Sequence, residues 1–514
     1  MAQPLVRTRY GTVEGYEEDG VHCFLGIPYA KPPVGALRFL PPQPCEPWQG
    51  VLQAKRFGHS APQHVPAPGQ PPVTPLSRVL DRSHLTFDED CLTLNLWRSA
   101  QSADQKLPVM YWIYGGGYVT GSSAIDVYNG AELARKYGVL VVSVNYRLGA
   151  FGFLSHPALR GRAAHTTNAG LWDLIAGLQW VQENIAAFGG DPDCVTVFGE
   201  SAGSAAVNTL LVTPAAKGLF HRAITQSFSP FNHAEWDHDA LEMQERSLRF
   251  LRSCGIEDEV QLYNASTQTL LGQEKAYVGA QFSPYVDGDA LPERLEAAFL
   301  NGHVHDVPVL LGCTADEATV LMGDPSRVTA EHFHATLQRK YPDDQEALLA
   351  HYGALLASHP AAALARFRSD NTLANMRFFA SVLQRVNASP VYFYRFAHAM
   401  PCEDAAFFGA FHTSEIPYHF ANLARTPYPM AAEDEALSRT MAQYWTSFAR
   451  TGKPQADGAP VWEPYTMQDD KLMSLDCPCA FEGVPNLALT DFLQSLLARK
   501  VQDMYPDLPV PHRP

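Results

Sequence analysis

The sequence of 514 residues lacks several features that would assign it to a broad class of proteins. It contains no uninterrupted apolar run of the ~18 residues that a transmembrane helix requires. Its first residues, MAQPLVR, include no apolar segment typical of a secretory signal peptide. It has no internal repeat, low-complexity tract or linker that would divide it. We therefore expect one domain over residues 1–514 and no association with a membrane.

The sequence also contains fewer basic than acidic residues, with 38 Lys and Arg and 54 Asp and Glu, so its net charge is −16. An acidic surface argues against nucleic acids and anionic membranes, so neither is expected as a partner. Cysteine pairs with metal-ligand spacing are missing, because the nine cysteines are odd in number and scattered. The pattern favours free thiols in a reducing compartment, hence a cytoplasmic protein without a metal site.

What the sequence does contain is an alternation of strand and helix patterns, which predicts an α/β fold with a mostly parallel central sheet. Residues 109–114 and 139–144 are continuous apolar runs, typical of strands that are buried on both faces. Residues 233–280 and 326–389 have largely helical patterns, and we expect them to form a cap over the sheet. Further strands are predicted at 12–16, 22–28, 92–97, 195–198, 223–226, 309–312 and 391–396, and helices at 131–137 and 169–188.

The pentapeptide GESAG at residues 199–203 lies between the predicted strand 195–198 and a segment, 204–211, that can continue as a helix. Gly-x-Ser-x-Gly also occurs by chance, but a strand before it and a helix after it are typical of a nucleophile elbow. Both glycines would be needed because the turn is too tight for side chains, and the serine is held in a strained conformation. The pattern predicts that Ser201 is a catalytic nucleophile, with a helix N-terminus behind it that favours negative charge.

A second glycine-rich segment, Gly115-Gly116-Gly117, directly follows the predicted strand 109–114. Glycines let the backbone approach a substrate closely and direct several N–H groups at one point. We therefore predict an oxyanion hole formed by Gly116 and Gly117 together with Ala202, the residue after the nucleophile. A plain flexible turn or a phosphate-binding loop is the alternative, although no Lys-Ser/Thr follows the glycines.

A serine hydroxyl also needs a base and an acid that orients it, and the order serine, acid, histidine restricts the candidates. Of the 19 histidines, His412 lies on a predicted loop that follows a strand. His419 and His398 remain alternatives from spacing alone. Glu317 is the candidate acid, because it leaves a buried strand at its carboxyl end, where such sheets place active sites. Its neighbour Asp316 is the competitor.

Segments along nearly the whole chain match the motifs of one known family. They are FLGIPYA (24–30), EDCLTLN (89–95), the triple glycine, NYRLG (145–149), FGGDP (188–192), the GESAG elbow, VDG (286–288) and YWTSFARTGKP (444–454). In these motifs the chain resembles the type-B carboxylesterases, the cholinesterase-like family of α/β-hydrolases. The resemblance implies an α/β-hydrolase fold with helical cap insertions and a triad of Ser201, Glu317 and His412. It also implies that Glu200 lines the floor of the active-site gorge.

The resemblance further implies a serine carboxylesterase that hydrolyses small-molecule esters through an acyl-enzyme, without a cofactor, as a monomer or homodimer. An amidase or a lactonase with the same triad remains an alternative, since no motif separates these reactions. A non-catalytic adhesion or scaffold protein of the same fold is disfavoured, because all three triad residues are present.

Three positions depart from the family pattern, and none of them removes a reacting group. Thr413 follows the candidate histidine and Ala318 follows the candidate acid, at positions where relatives have glycine. Secreted members pair the cysteine that matches Cys91 with one that precedes Pro-Gln, and Ala61 occupies that position in this chain. The missing disulfide agrees with a cytoplasmic, bacterial-type enzyme.

Substrate-binding positions differ from those of the cholinesterases. Asp81 and Val320 stand where those enzymes have aromatic residues that bind the quaternary ammonium group. Because such a cation needs aromatic faces, we expect uncharged esters to be preferred over choline esters. Val278 and Ala280 align with the acyl pocket, and their small side chains predict room for a bulky acyl group.

Overall fold

The computed structural model describes residues 3–64, 74–101, 106–159, 168–232, 239–274 and 282–511. Within these residues the strands form an eleven-stranded sheet and a separate three-stranded sheet. In chain order the strands are β1 (Leu5–Arg7), β2 (Thr12–Glu14), β3 (Tyr16–Glu18), β4 (Val21–Pro28), β5 (Val51–Gln53), β6 (Thr93–Ser99), β7 (Leu107–Ile113), β8 (Leu140–Val144), β9 (Gly190–Glu200), β10 (Arg222–Gln226), β11 (Val309–Thr314), β12 (Val391–Phe396), β13 (Lys471–Leu475) and β14 (Ala480–Gly483).

Helices cover both faces of the large sheet and build the segments between its strands. In the described parts of the chain the α-helices are α1 (Pro75–Val79), α2 (Ala131–Tyr137), α3 (Gly149–Phe153), α4 (Ala169–Asn184), α5 (Ala202–Val212), α6 (Ala240–Ser253), α7 (Glu259–Asn264), α8 (Thr267–Glu274), α9 (Leu295–Asn301), α10 (Ala330–Lys340), α11 (Gln345–Ser358), α12 (Pro360–Val386), α13 (Ala405–Phe408), α14 (Ile416–His419), α15 (Ala432–Thr451) and α16 (Leu487–Met504). None of them combines the length and apolar character that crossing a membrane requires.

The large sheet is mixed, with the order β14-β13-β12-β11-β10-β9-β7-β8-β6-β4-β3. Neighbouring strands run parallel from β13 through to β8, and antiparallel pairs occur at both ends of the sheet. Every residue of β7 and β8 is buried, as expected for strands in the centre of a parallel sheet. The predicted α/β fold with a mostly parallel sheet is therefore confirmed.

The segments predicted to form a helical cap are helical where the structure describes them. The first contains α6, α7 and α8, while residues 233–238 and 275–280 lie outside the described residues. The second contains α10, α11 and α12, which share a hydrophobic cluster separate from the main core. Helix α12 also packs against β11 and β12, so it belongs to the layer that covers the sheet as well as to the cap.

The register of the central strands brings their carboxyl ends to one edge of the sheet. Glu200, the last residue of β9, pairs with Gln226, the last residue of β10. Gly199 pairs with Ile113, the last residue of β7, so the segment after β7 begins beside the elbow. The sheet thus places the glycine loop, the elbow and the end of β10 side by side, where open α/β sheets bind ligands.

Candidate active site

The segment around Ser201 forms a sharp strand-to-helix turn. Ser201 precedes the first residue of α5 and has φ 58° and ψ −124°. A Cβ atom on Gly203 would lie 2.0 Å from the carbonyl oxygen of Ile113, and one on Gly199 would lie 2.5 Å from the carbonyl oxygen of Gly203. Since such contacts are impossible, both flanking positions require glycine, as the steric argument from the sequence predicts.

His412 and Glu317 are joined by a short hydrogen bond. His412 Nδ1 donates to Glu317 Oε2 at 2.5 Å, and both side chains are buried. The other carboxylate oxygen, Oε1, accepts from Ser227 Oγ at 2.5 Å and from the Thr314 backbone N–H at 2.8 Å. These donors hold the carboxylate in one orientation, so its second oxygen can fix the tautomer and the ring plane of the histidine.

Ser227 is a site residue that the sequence analysis missed. It follows β10 directly and has a left-handed backbone conformation, with φ 61°, which is uncommon for a residue other than glycine. Its backbone N–H donates to the carbonyl of Gly312, so the backbone beside the hydroxyl is fixed to the neighbouring strand β11. The sequence offers no signal for this conformation, because a serine after a strand is common.

Glu200 faces the other nitrogen of the same histidine. Its Oε1 atom lies 3.1 Å from His412 Nε2, and the side chain is 1% exposed. Among the described residues, no hydrogen bond joins His412 to Ser201. Catalytic hydrogen bonds are often long in free enzymes and close when substrate binds. His412 Nε2 thus contacts the Glu200 carboxylate, and the Ser201 hydroxyl lines the same cavity without a hydrogen bond to the imidazole in the described part of the chain.

Burial and charge act in opposite directions on the ionisation of this cluster. Burial alone would lower the pKa of His412, but the carboxylates of Glu200 and Glu317 outweigh it and raise the pKa to about 10. Burial would raise the pKa of Glu317, but the imidazolium and the hydrogen bonds from Ser227 and Thr314 hold it below its usual value. Burial raises the pKa of Glu200 well above its usual value. The site therefore favours an imidazolium between two carboxyl groups.

Asp316, the alternative acid, contacts the loop that carries the histidine rather than the histidine itself. Its carboxylate accepts a hydrogen bond from the Ala410 backbone N–H at 3.0 Å. Its own N–H donates to the carbonyl of Ala410, and the residue forms a backbone bridge with Phe411. Asp316 thus attaches this loop to the end of β11, while the adjacent Glu317 contacts the imidazole.

The alternative histidines lie elsewhere. His419 is completely buried, stacks on Trp445 at 5.3 Å, and has a pKa that burial lowers to about 3. His398 bonds through Nε2 to Asp434 at 2.9 Å and through Nδ1 to Asp476 at 3.2 Å. Neither histidine lines the cavity that contains Ser201.

The glycine loop lies over the elbow. A Cβ atom on Gly115 would lie 2.5 Å from the Glu200 carbonyl oxygen, so the two backbones are in contact. Gly116 and Gly117 have φ of +113° and +65°, which side chains rarely tolerate. Ala202 is the first residue of α5, where backbone N–H groups have no partner inside the helix. The glycine loop and the first turn of α5 thus lie on either side of the elbow, and within the described residues the N–H groups of Gly116, Gly117 and Ala202 donate to no backbone carbonyl.

These residues open into a cavity of about 650 Å³, a volume that suits a small organic ligand. The cavity is lined by Ser201, His412, Glu200, Gly116 and Gly117, among other residues.

Apart from Glu200, the residues that the sequence predicts to bind the substrate are not found among the described residues that line this cavity. Val320 is 9% exposed and packs in the core, while Ala318 and Leu321 line the cavity. Val278 and Ala280 lie outside the described residues.

Comparison with known proteins identifies the family of this chain. A model of the carboxylesterase family matches residues 2–482. The chain is 35% identical to the para-nitrobenzyl esterase of Bacillus subtilis (strain 168), over 94% of this chain and 97% of the relative. It is 36% identical to the fumonisin B1 esterase of Sphingopyxis macrogoltabida, over 89% and 84%. It is 32% identical to the acetylcholinesterase of Danio rerio, over 92% and 84%.

The chain therefore belongs to the carboxylesterase family and has the α/β-hydrolase fold of that family. It is a carboxylic ester hydrolase.

Proposed function

We propose that this enzyme is a serine carboxylesterase in which Ser201 attacks the ester, His412 is the general base and Glu317 orients the base. The observation that carries the proposal is the His412–Glu317 hydrogen bond of 2.5 Å at the wall of the cavity that Ser201 also lines. A nucleophile, a base and an orienting acid in one water-accessible cavity are the requirements of acyl transfer through a serine.

In the first step His412 Nε2 takes the hydroxyl proton as Ser201 Oγ attacks the carbonyl carbon. The resulting imidazolium lies between Glu200 and Glu317, both of which favour its positive charge. His412 then gives the proton to the departing alkoxide, which leaves an acyl-serine. A water molecule repeats the sequence on the acyl-serine, releasing the acid and restoring the hydroxyl.

The negative charge of each tetrahedral intermediate needs donors that are in place before the reaction. We propose the N–H groups of Gly116, Gly117 and Ala202 for this role. Support comes from the contact between the glycine loop and the elbow backbone, and from the position of Ala202 at the helix N-terminus.

We also propose that uncharged esters are preferred over choline esters. Among the described residues that line the cavity, the aromatic ones are Tyr128, Phe228 and Phe367. The cationic side chain of Arg82 lines the same cavity and would repel a quaternary ammonium group. A reducing, cytoplasmic location is proposed as well, since Cys91, whose counterpart is paired in secreted members, is a free thiol.

Labelling tests the nucleophile most directly. An organophosphonate that mimics the tetrahedral intermediate is expected to add covalently to Ser201, as read by peptide mass spectrometry. Ser201→Ala is expected to lower kcat by at least ~10⁴ with an unchanged melting temperature. Ser253→Ala, at the end of α6 and away from the cavity, is the matched control and keeps full activity. An adduct on another serine would refute the assignment.

A further inference from the structure

Arg82 lines the active-site cavity from the loop that connects α1 to β6. Its neighbour Asp81 is exposed and bonds within the loop to Ser83. Of these two neighbours, Arg82 lines the cavity and Asp81 does not.

The position of the Arg82 side chain is fixed by a buried glutamine. Arg82 Nη1 donates to Gln63 Oε1 at 2.9 Å. The same oxygen accepts from the Gly121 N–H at 2.9 Å and from Thr120 Oγ1 at 2.8 Å, and Gln63 is 4% exposed. Because Thr120 and Gly121 continue the glycine loop, Arg82 is held in a defined position relative to the proposed oxyanion donors.

The guanidinium group of Arg82 has N–H donors that form no hydrogen bond within the described residues. Arginine carries five N–H donors, and within the described residues Arg82 uses one of them, on a neutral amide oxygen. No carboxylate of the described residues lies within ion-pair distance of it. Burial lowers the pKa of Arg82, and the charge interactions with Tyr128 and Asp81, which act in the opposite direction, do not offset it. An anion in the cavity would supply a compensating partner.

The other charges along the cavity have the same sign, apart from the cluster around the histidine. The acidic residues that line it are Glu200 and Glu317, which both contact His412. Three more cationic side chains line it from the cap: Arg339, Lys340 and Arg368. Unlike Arg82, these three side chains have further interactions with other residues of the chain.

We propose that Arg82 binds a carboxylate of the substrate, so that the enzyme prefers esters that carry a carboxylate in their acyl or alcohol part. A guanidinium with adjacent unused N–H groups suits a carboxylate, which accepts two parallel hydrogen bonds from it. The cavity of about 650 Å³ holds both the ester and such a group. The proposal rests on the proposed function, since it concerns the substrate of the same site.

Two matched substrate pairs test the preference. The first pair is para-(carboxymethyl)phenyl butyrate and its primary amide, which differ in the alcohol part. The second is para-nitrophenyl hydrogen adipate and its monoamide, which differ in the acyl part. The ratio of kcat/KM, carboxylate over amide, is expected to be roughly 10–100 in at least one pair, the range for charge-assisted hydrogen bonds. A ratio near one in both pairs would overturn the proposal.

Variants assign the preference to this residue. Arg82→Gln is expected to reduce the ratio to about one, mainly through KM, and Arg82→Lys to retain part of it. Arg327→Gln removes an exposed charge that does not line the cavity, and is the control with an unchanged ratio. If the preference persists in Arg82→Gln, the inference is wrong.

A third measurement needs no variant. Phenylacetate is expected to inhibit the wild-type enzyme competitively, and phenylacetamide roughly 10–100-fold more weakly; equal inhibition would contradict a role for Arg82. Failure of the proposed function has a different signature, since Ser201→Ala would then hydrolyse the neutral esters as fast as the wild type.

Discussion

Replacing Glu200 by glutamine tests the electrostatics of the site, because Glu200 Oε1 lies 3.1 Å from His412 Nε2. A general base must be unprotonated in the free enzyme, so kcat/KM rises with pH through the pKa of the histidine. The two carboxylates raise that pKa to about 10, against burial. The midpoint of the rise in kcat/KM with pH, the acid limb of the profile, is therefore expected at a pH above ~6.5, the ordinary pKa of imidazole.

Glu200→Gln keeps the shape of the side chain and removes the negative charge that Glu200 carries when it is ionised beside the imidazolium, which opposes the effect of burial on its pKa. An opposite charge at this distance shifts a pKa by roughly 1–3 units, so the midpoint of the acid limb is expected to move down by that amount. Glu317 still contacts Nδ1, and the base keeps its orientation. Because the imidazolium loses one stabilising charge, the limiting kcat at high pH is expected to fall.

The assay is kcat/KM for para-nitrophenyl butyrate between about pH 5 and 10 at constant ionic strength, with the spontaneous rate subtracted. Glu331→Gln, in the first turn of α10, removes the same charge from an exposed residue that does not line the cavity, and is expected to leave the midpoint unchanged. A midpoint in Glu200→Gln that stays fixed or moves to higher pH would refute the reasoning, since Glu200 would then carry no charge beside the imidazole.

Other outcomes follow from the same geometry. His412→Ala is expected to be nearly inactive. His419→Ala loses a ring that stacks on a tryptophan, so it is expected to be less stable but to retain kcat per folded molecule. An inactive His419→Ala together with an active His412→Ala would identify His419 as the general base instead. Glu317→Gln is expected to lower kcat far more than Asp316→Asn, because Asp316 contacts backbone and Glu317 contacts the imidazole. Butyrylcholine is expected to have a lower kcat/KM than a neutral butyrate ester of similar size; an equal or higher value would contradict the substrate preference.

The elbow, the glycine loop and the central strands could be predicted from the sequence because each depends on local chain geometry. The continuous apolar run 109–114 and the structure's β7 agree within two residues. The predicted helix 131–137 matches α2 at both ends. The short strands β13 and β14 were not predicted, since β14 is a four-residue edge strand with a partly exposed sequence, AFEG.

The local sequence pattern left the choice between Asp316 and Glu317 open, and the prediction of Glu317 depended on the resemblance to the family. Both are carboxylates at the end of the same strand, and adjacent side chains there point in different directions. Tertiary packing separates them, since one carboxylate meets the Ala410 N–H and the other meets His412. Ser227 was missed for a related reason, because its contact with Glu317 spans two neighbouring strands.

The net charge of −16 does not predict the charge of the residues that line the cavity. It describes the whole surface, yet the cavity wall away from the histidine presents cationic side chains, Arg82 among them. Charges in water are screened beyond roughly 8–10 Å at physiological salt, whereas a partly buried charge is screened much less. The field that a bound ester meets is therefore set by the few residues that the fold brings to the cavity, through contacts such as Gln63 with Arg82. We therefore expect those residues, and not the charge of the whole chain, to determine which esters the enzyme accepts.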